Sequence, residues 1–396
     1  MVLDLSLIHN DTYQLKEGCM RQYRGSGQNI NKAVIGIITH NPFTLLRKNY
    51  ILACKSPAFM LGGFEGVLTS QSNDNRAFNK YTPTSIVKAH EIDLLIDGDI
   101  VIIHNDGLIT VLWDAQSKSN AILLTESCNC NCRMCPQPPA KHNPDLISIC
   151  KRVIELIKPG TDESLIITGG EPTLLQEDFF TILSLIKTKH PELNCLLLTN
   201  GKTFSDFEFT KRFASTKPKH FTTCISLHSD IDEIHDSIVG AKGSYYKTLM
   251  GLHNLARFRE KIEIRVVISK FNASHLESIS DFIFRNLPFV CHCAFMGLEM
   301  TGYANDNYDD VWIDPYDYGE DLSRAIKILN RARINTSIYN IPLCLIDKSL
   351  WQFAKQSISG WKNNYQPVCD NCHVKSDCCG FFTTSGGYHS SHICPQ

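Results

Sequence analysis

The chain has 396 residues, 43% hydrophobic and 20% charged, with 39 Lys and Arg against 41 Asp and Glu, a formal net charge of −2. This composition can bury real cores, which excludes a disordered chain and a generic polycation for nucleic acid. No run approaches the roughly 20 uncharged apolar residues of a membrane span.

By length, about two to three domains are expected. The first residues carry an early Asp and lack a basic start and a sustained apolar stretch, so they do not read as a signal peptide. A cytoplasmic location is expected. The chain has 17 cysteines, and without an export signal these point to metal or redox chemistry rather than disulfides.

Residues 1–117 read as a β-rich N-terminal domain. Ala33–Thr39, Leu94–Ile96 and Ile100–Ile103 are β-prone runs. Asn105-Asp106-Gly107 is a hairpin signal, and Leu108–Trp113 is the return strand. Gly62-Gly63 and Thr69–Arg76 read as loops. Cys19 and Cys54 are isolated and carry no motif.

Residues 118–340 alternate strand-length apolar runs with amphipathic helical patterns. Strands are predicted at Ala121–Thr125, Leu165–Thr168, Cys195–Thr199, Thr222–Leu227, Ile262–Ile268 and Cys293–Met296. Helices are predicted at Leu146–Ile157 and Leu174–Ile186, and at Tyr316–Arg333 behind Asp314-Pro315 as N-cap and first turn. About six β–α units predict an α/β fold, a partial (β/α)6 TIM-like barrel with a parallel sheet, since a closed barrel needs eight. Residues 341–396 are rich in Cys, Gly, Ser and aromatics. With little aliphatic material, this extension needs a metal centre or packing on the barrel.

The first barrel strand leads into Cys128-x-x-x-Cys132-x-x-Cys135. Three thiolates on a short loop can converge on one iron–sulfur cluster and leave one iron without a protein ligand. Zinc competes, but a structural zinc site wants a second close pair that is missing nearby. Cys130 adds a thiol whose offset suits this spacing poorly.

Cys128, Cys132 and Cys135 at the end of a first barrel strand resemble the signature of the radical S-adenosylmethionine (SAM) superfamily. The resemblance implies that they hold a 4Fe–4S cluster whose open iron chelates SAM. Reductive cleavage then gives methionine and a 5′-deoxyadenosyl radical that abstracts hydrogen from a substrate.

Other residues fit that pattern. Gly169-Gly170-Glu171-Pro172 after the second strand resembles the motif that binds the SAM amino group. Thr199-Asn200-Gly201 ends the third strand near where SAM is expected. Ser226 ends the fourth and matches a contact to the SAM ribose or carboxylate, with His228 near the same mouth. Arg265 on the fifth meets the SAM carboxylate, Glu263 or another barrel carboxylate. Asn272 follows that strand. Met296 near the sixth either packs on adenine or belongs to the core.

In the extension, Cys344 and Cys369-x-x-Cys372-x5-Cys378 make a four-thiolate set that can close a second cluster or hold zinc. Cys379 and Cys394 are alternatives to Cys378. Residues 339–382, Cys135-Pro136-Gln137-Pro138-Pro139 and 295–304 resemble the family of His-Xaa-Ser system radical SAM maturases called HxsC. That likeness implies an auxiliary 4Fe–4S cluster and a His-Xaa-Ser repeat protein as substrate. It also implies a second maturase, HxsB, and a small protein, HxsD, as partners, and a reducing electron donor. Cys379 departs from the Cys-Gly-Gly run expected there. Two rival readings stay open: a radical SAM enzyme acting on RNA or a small molecule, and a non-catalytic iron–sulfur or zinc protein. A net charge near zero without a basic run speaks against RNA.

Overall fold

The computed structural model describes residues 21–28, 32–55, 63–69, 85–87, 92–141, 145–358, 362–385 and 387–396. Cys19, Gly62 and most of the loop expected at Thr69–Arg76 lie outside them.

The N-terminal part is a mixed sheet of β1 (Gln22–Arg24), β2 (Ser26–Gln28), β3 (Val34–Thr39), β4 (Tyr50–Cys54), β5 (Gly66–Thr69), β6 (Ser85–Val87), β7 (Ile100–Ile103) and β8 (Leu108–Trp113), in the order β1-β8-β7-β3-β4-β5-β6-β2. Only Gly25 separates β1 from β2, which pair with opposite ends of that order, so residues 22–28 close the sheet on itself. Closure removes the free edges that invite pairing with other chains. Ile38, Ile51, Leu68, Val101, Ile103 and Ile109 fill the interior. Leu94–Ile96 is not a strand. A 3-10 turn at Ile92–Leu94 takes its place, because the buried Asp99 carboxylate accepts the N–H groups of Ile96 (3.2 Å) and Ala115 (3.0 Å).

The second sheet runs β9 (Ser119–Leu123), β10 (Ser164–Thr168), β11 (Asn194–Thr199), β12 (Phe221–Ser226), β13 (Lys261–Val267), β14 (His292–Met296), β15 (Asn335–Tyr339) and β16 (Ala354–Lys355). Strand order follows chain order, and every neighbouring pair is parallel. The six expected strands are therefore joined by two more, the last supplied by the C-terminal extension. The fold is α/β, an eight-stranded parallel half-barrel.

Crossover helices connect the strands: α1 (Asp145–Leu156), α2 (Glu177–Lys189), α3 (Phe207–Thr216), α4 (Asp232–Val239), α5 (Ser244–Arg257), α6 (Leu276–Asn286), the short α7 (Tyr303–Asp306) and α8 (Tyr308–Val311), and α9 (Gly319–Arg331). Two helices start later than predicted. Pro172–Leu175 forms a 3-10 turn capped by the Glu171 side chain, and Gln176, with a positive φ of 49°, separates it from α2. The Asp314 carboxylate caps a turn at Tyr316 N–H (3.0 Å), so α9 begins only at Gly319.

Strand side chains alternate between faces. On β13, Ile262, Ile264 and Val266 are wholly buried in the core shared with Leu252, Leu255, Ile279 and Ile283. Glu263 and Arg265 therefore lie on the other, inner face. Two small strands, β17 (Asn363–Asn364) and β18 (Phe381–Phe382), pair antiparallel in the extension.

Candidate active site

The loop after β9 is gripped from three sides. Gly170 N–H donates to Thr125 O (2.7 Å) and Glu171 N–H to Ser127 O (2.8 Å). A Cβ on Gly169 would sit 2.5 Å from Thr125 O, and one on Gly170 2.3 Å from Ser127 O. The two glycines thus allow a close approach to the stem of the cysteine loop. From the outside, Asn131 and Arg133 donate their N–H groups to Val239 O (3.0 Å) and Ile238 O (2.9 Å) at the end of α4. Tyr303 N–H donates to Cys135 O (2.9 Å), and Asn307 Nδ2 to Arg133 O (3.0 Å).

Within this grip the four thiols lie together. The backbone N–H of Cys130 donates to Cys128 Sγ (3.4 Å). Cys130 is buried, and its sulfur accepts from Lys202 Nζ (3.3 Å) and Asn200 Nδ2 (3.6 Å). Hydrogen bonds from Cys128 and Cys132, outweighing burial and aided by Lys202, hold the Cys130 thiol far below its ordinary range. The Cys132 thiol is pushed up by its bond to Cys130 and by burial, and the Cys135 thiol by burial. Cys135 Sγ donates to Gln137 O (2.8 Å). Soft thiolates, a backbone N–H aimed at sulfur and a nearby ammonium are a donor set that suits an iron–sulfur group. Among the described residues, no three His, Cys, Asp or Glu are gathered tightly enough for a single metal ion.

Glu171 is fully buried. Its Oε1 accepts from Thr173 N–H (3.2 Å), Thr173 Oγ1 (2.6 Å) and Thr199 Oγ1 (2.7 Å), and its Oε2 from Asn200 N–H (2.7 Å). This carboxylate ties the end of β10 to the end of β11. Pro172 is buried in the turn that follows. Asn200 reaches the cysteine loop, its Nδ2 donating to Asn129 Oδ1 (2.7 Å). Lys202, which the motif reading passed over, donates to Asn129 O (2.7 Å). Its only sequence signal is a Lys just past a strand end at the mouth.

Ser226 closes β12, half-buried and in register with Arg265. Arg265 Nε meets Glu263 Oε1 (2.6 Å), one of the partners weighed for it. Glu263 Oε2 meets His292 Nδ1 (2.7 Å), and His292 Nε2 meets Ser337 Oγ (2.9 Å). Together they make a polar chain across β13, β14 and β15.

His228 lies two residues past the end of β12. It is 3% exposed, and burial, with a smaller part from His235, pushes its imidazole down to about 3. Asn272 is fully buried and braces the mouth, donating to His228 O (2.8 Å) and Val267 O (3.0 Å). Met296 ends β14, half-buried on the same face as His292.

In the extension, Cys344 lies within electrostatic reach of Cys378, Cys394 and Cys369, and Cys369 within reach of Cys378 and Cys372. Cys378 Sγ accepts Leu343 N–H (3.4 Å), and a hydrogen bond from Cys379, against burial, draws its thiol down to about 6. Cys372 Sγ accepts the N–H of Gln396 (3.5 Å). Cys379 is 3% exposed and packs with Ile358 and Phe382. Cys394 is exposed.

Residues 122–283 match the family model of the radical SAM superfamily. A cysteine-type anaerobic sulfatase-maturating enzyme of Clostridium novyi (strain NT) is 31% identical over 133 residues, 31% of this chain and 34% of its own. An Fe-coproporphyrin III synthase of Methanosarcina barkeri (strain Fusaro / DSM 804) is 28% identical over 136 residues, 34% of this chain and 32% of its own. The chain thus spans about a third of the length of these curated relatives. Among solved structures, SuiB of Streptococcus suis bound to S-adenosylmethionine gives a TM-score of 0.43 at 16% identity, covering 56% of this chain and 49% of that one. The protein anSMEcpe, with bound AdoMet and the Cp18Cys peptide, gives 0.43 at 22% identity, covering 55% and 62%. The superfamily resemblance is supported over the stretch that carries the cysteine loop, Gly169–Pro172 and the strands through β13.

Proposed function

We propose that this protein is a radical SAM enzyme that modifies a peptide or protein. The observation that carries the reading is the seat of Cys128, Cys132 and Cys135. They occupy a loop gripped at the carboxyl end of the first strand of a parallel half-barrel, inside the stretch that matches the superfamily model. Cys128, Cys132 and Cys135 would hold a 4Fe–4S cluster, which together with SAM would supply radical chemistry able to attack an unactivated C–H bond. The residues of the chain prepare the place for it. Gly169 and Gly170 let β10 lie against the loop stem, and Glu171 and Pro172 fix the neighbouring strand ends. Asn200, Ser226 and Arg265 would face SAM from the strand ends of the mouth. The half-barrel would shield that chemistry from water.

In the same reading, Cys344, Cys369, Cys372 and Cys378 hold an auxiliary 4Fe–4S cluster, with Cys394 as a fifth thiol beside them. The substrate is a His-Xaa-Ser repeat protein, with HxsB and HxsD as companions. One curated relative is named as a sulfatase-maturating enzyme, which supports a protein substrate. The other is named as an Fe-coproporphyrin III synthase, which keeps a small-molecule substrate as the second reading.

The test uses anaerobically reconstituted protein, with iron and sulfide counted and 5′-deoxyadenosine assayed after SAM and a reductant are added. About eight irons are expected, falling to about four without 5′-deoxyadenosine in the Cys128/Cys132/Cys135→Ala triple variant. Product mass on a His-Xaa-Ser peptide then separates the two substrate classes. Zinc in place of iron, or a cluster without SAM cleavage, would reject the enzyme.

A further inference from the structure

Cys130 is the thiol of the first loop that a three-cysteine set leaves over, yet it sits at the centre of the group. Hydrogen bonds join its sulfur to Cys128 and Cys132, and its backbone N–H turns back onto Cys128 Sγ (3.4 Å). It is 6% exposed. A buried cysteine without a task behaves as a small apolar residue. This one instead collects donors from another element. Lys202 Nζ (3.3 Å) and Asn200 Nδ2 (3.6 Å) both reach its sulfur from the turn after β11. Both donors are anchored. Lys202 Nζ also donates to Asn129 O (2.7 Å), Asn200 Nδ2 to Asn129 Oδ1 (2.7 Å), and Asn200 N–H to Glu171 Oε2 (2.7 Å). An acceptor for a Cys130 S–H is poorly provided, since Asn129 Oδ1 stands 3.9 Å away and already accepts from Asn200.

A sulfur offered an ammonium and an amide, with little to donate to, is set up as a thiolate, the form that binds metal. Resting on the SAM reading above, we infer that Cys130 is a fourth, displaceable ligand for the iron that Cys128, Cys132 and Cys135 leave open. Its thiolate binds that iron while SAM is absent. When the amino and carboxylate groups of SAM take the iron, the bond from Cys130 to iron breaks and the sulfur keeps its electron pair. Lys202 and Asn200 then receive the thiolate, in the arrangement seen here. The exchange is redox-neutral and needs no co-reactant beyond SAM. It guards an exposed iron against loss before SAM binds.

The test is equilibrium binding of SAM to the anaerobically reconstituted full chain, beside loss of iron to a chelator with and without SAM. Cys130→Ala removes the competing ligand and is expected to bind SAM about tenfold more tightly, as when the open iron is about one-tenth free in wild type. Without SAM it should lose iron several-fold faster than wild type, and with SAM at the wild-type rate. Cys130→Ser, whose hard oxygen is a weaker iron donor than sulfur, serves if the Ala variant does not fold. Lys202→Met takes away the seat of the displaced thiolate, so SAM should bind several-fold more weakly. That loss should vanish in the Cys130→Ala background. A merely structural Cys130 would neither tighten SAM binding when removed nor erase the Lys202 effect. Unchanged or weaker SAM binding in a folded Cys130 variant with wild-type iron content overturns the inference alone. So does an equal Lys202 loss with and without Cys130, which assigns the ammonium to SAM itself. Failure of wild type to bind SAM, or to hold iron at Cys128, Cys132 and Cys135, overturns the SAM reading and the inference with it.

Discussion

Glu171 and Glu263 are both buried carboxylates, and their surroundings lead to different predictions. Burial pushes the Glu171 carboxyl upward, opposed by hydrogen bonds from Thr173, Asn200 and Thr199. With four donors on its two oxygens, Glu171→Gln must turn an NH2 toward at least one of them. That strands a buried donor, and roughly 2 kcal/mol of stability is expected to be lost in urea denaturation of cofactor-free protein. A carboxylate kept only for a ligand would leave that stability unchanged. For Glu263, burial also pushes upward, but the hydrogen bond from His292 and the charge of Arg265 prevail and bring its carboxyl down to about 2. A folded value below the unfolded 4.5 stabilises fully above the unfolded value and drains away as pH falls toward 2. The contribution is about 3 kcal/mol at neutral pH. The stability gap between wild type and Glu263→Gln should therefore narrow between about pH 7 and about pH 3. A constant gap would assign the cost to packing.

At the scale of elements, the cysteine loop depends on how closely two strand ends approach. Gly170→Ala places a methyl 2.3 Å from Ser127 O, a backbone atom that cannot swing aside. The expected result is a loss of about 1–3 kcal/mol and iron content well below wild type after reconstitution. Gly243→Ala is the control. Its φ of +73° strains any side chain by about 1–2 kcal/mol, but nothing lies within 4 Å. Its iron content should match wild type, and equal iron in both variants would show that the close approach does not matter. Such close approaches are only half legible in sequence. The six strands between 121 and 296 read correctly because apolar runs fill a core on their outer face. β15 was missed because NTSIY turns polar side chains to the inner face, and β16 because two residues carry no period. The cysteines announce themselves by spacing. Lys202 and the chain from Glu263 through His292 to Ser337 do not, because only the sheet brings residues so far apart in sequence together.

Over the whole molecule, one segment links the first cysteine loop to the extension that carries the second cysteine group. Gly302 packs against Cys135 O and Pro136 O, and Tyr303 and Asn307 hold the first loop. The same segment is held from the other side by the extension. Lys362 Nζ pairs with Glu299 Oε1 (2.8 Å), which Thr384 Oγ1 also approaches (3.4 Å), while Tyr388 stacks on Tyr308 (4.3 Å) and His392 on Tyr316 (3.8 Å). Lys362 and Glu299 are 6% and 12% exposed, so removing one charge leaves the other in a poor solvent. Lys362→Met is expected to cost about 3–5 kcal/mol. Its distinctive effect should be remote. Hydrogen exchange of the amides of residues 297–312 should speed up, and iron at Cys128, Cys132 and Cys135 should be lost faster to a chelator, with every cysteine unchanged. Because the segment is the only link invoked, faster exchange confined to the extension, with 297–312 as protected as in wild type, would show that the two cysteine groups are held independently.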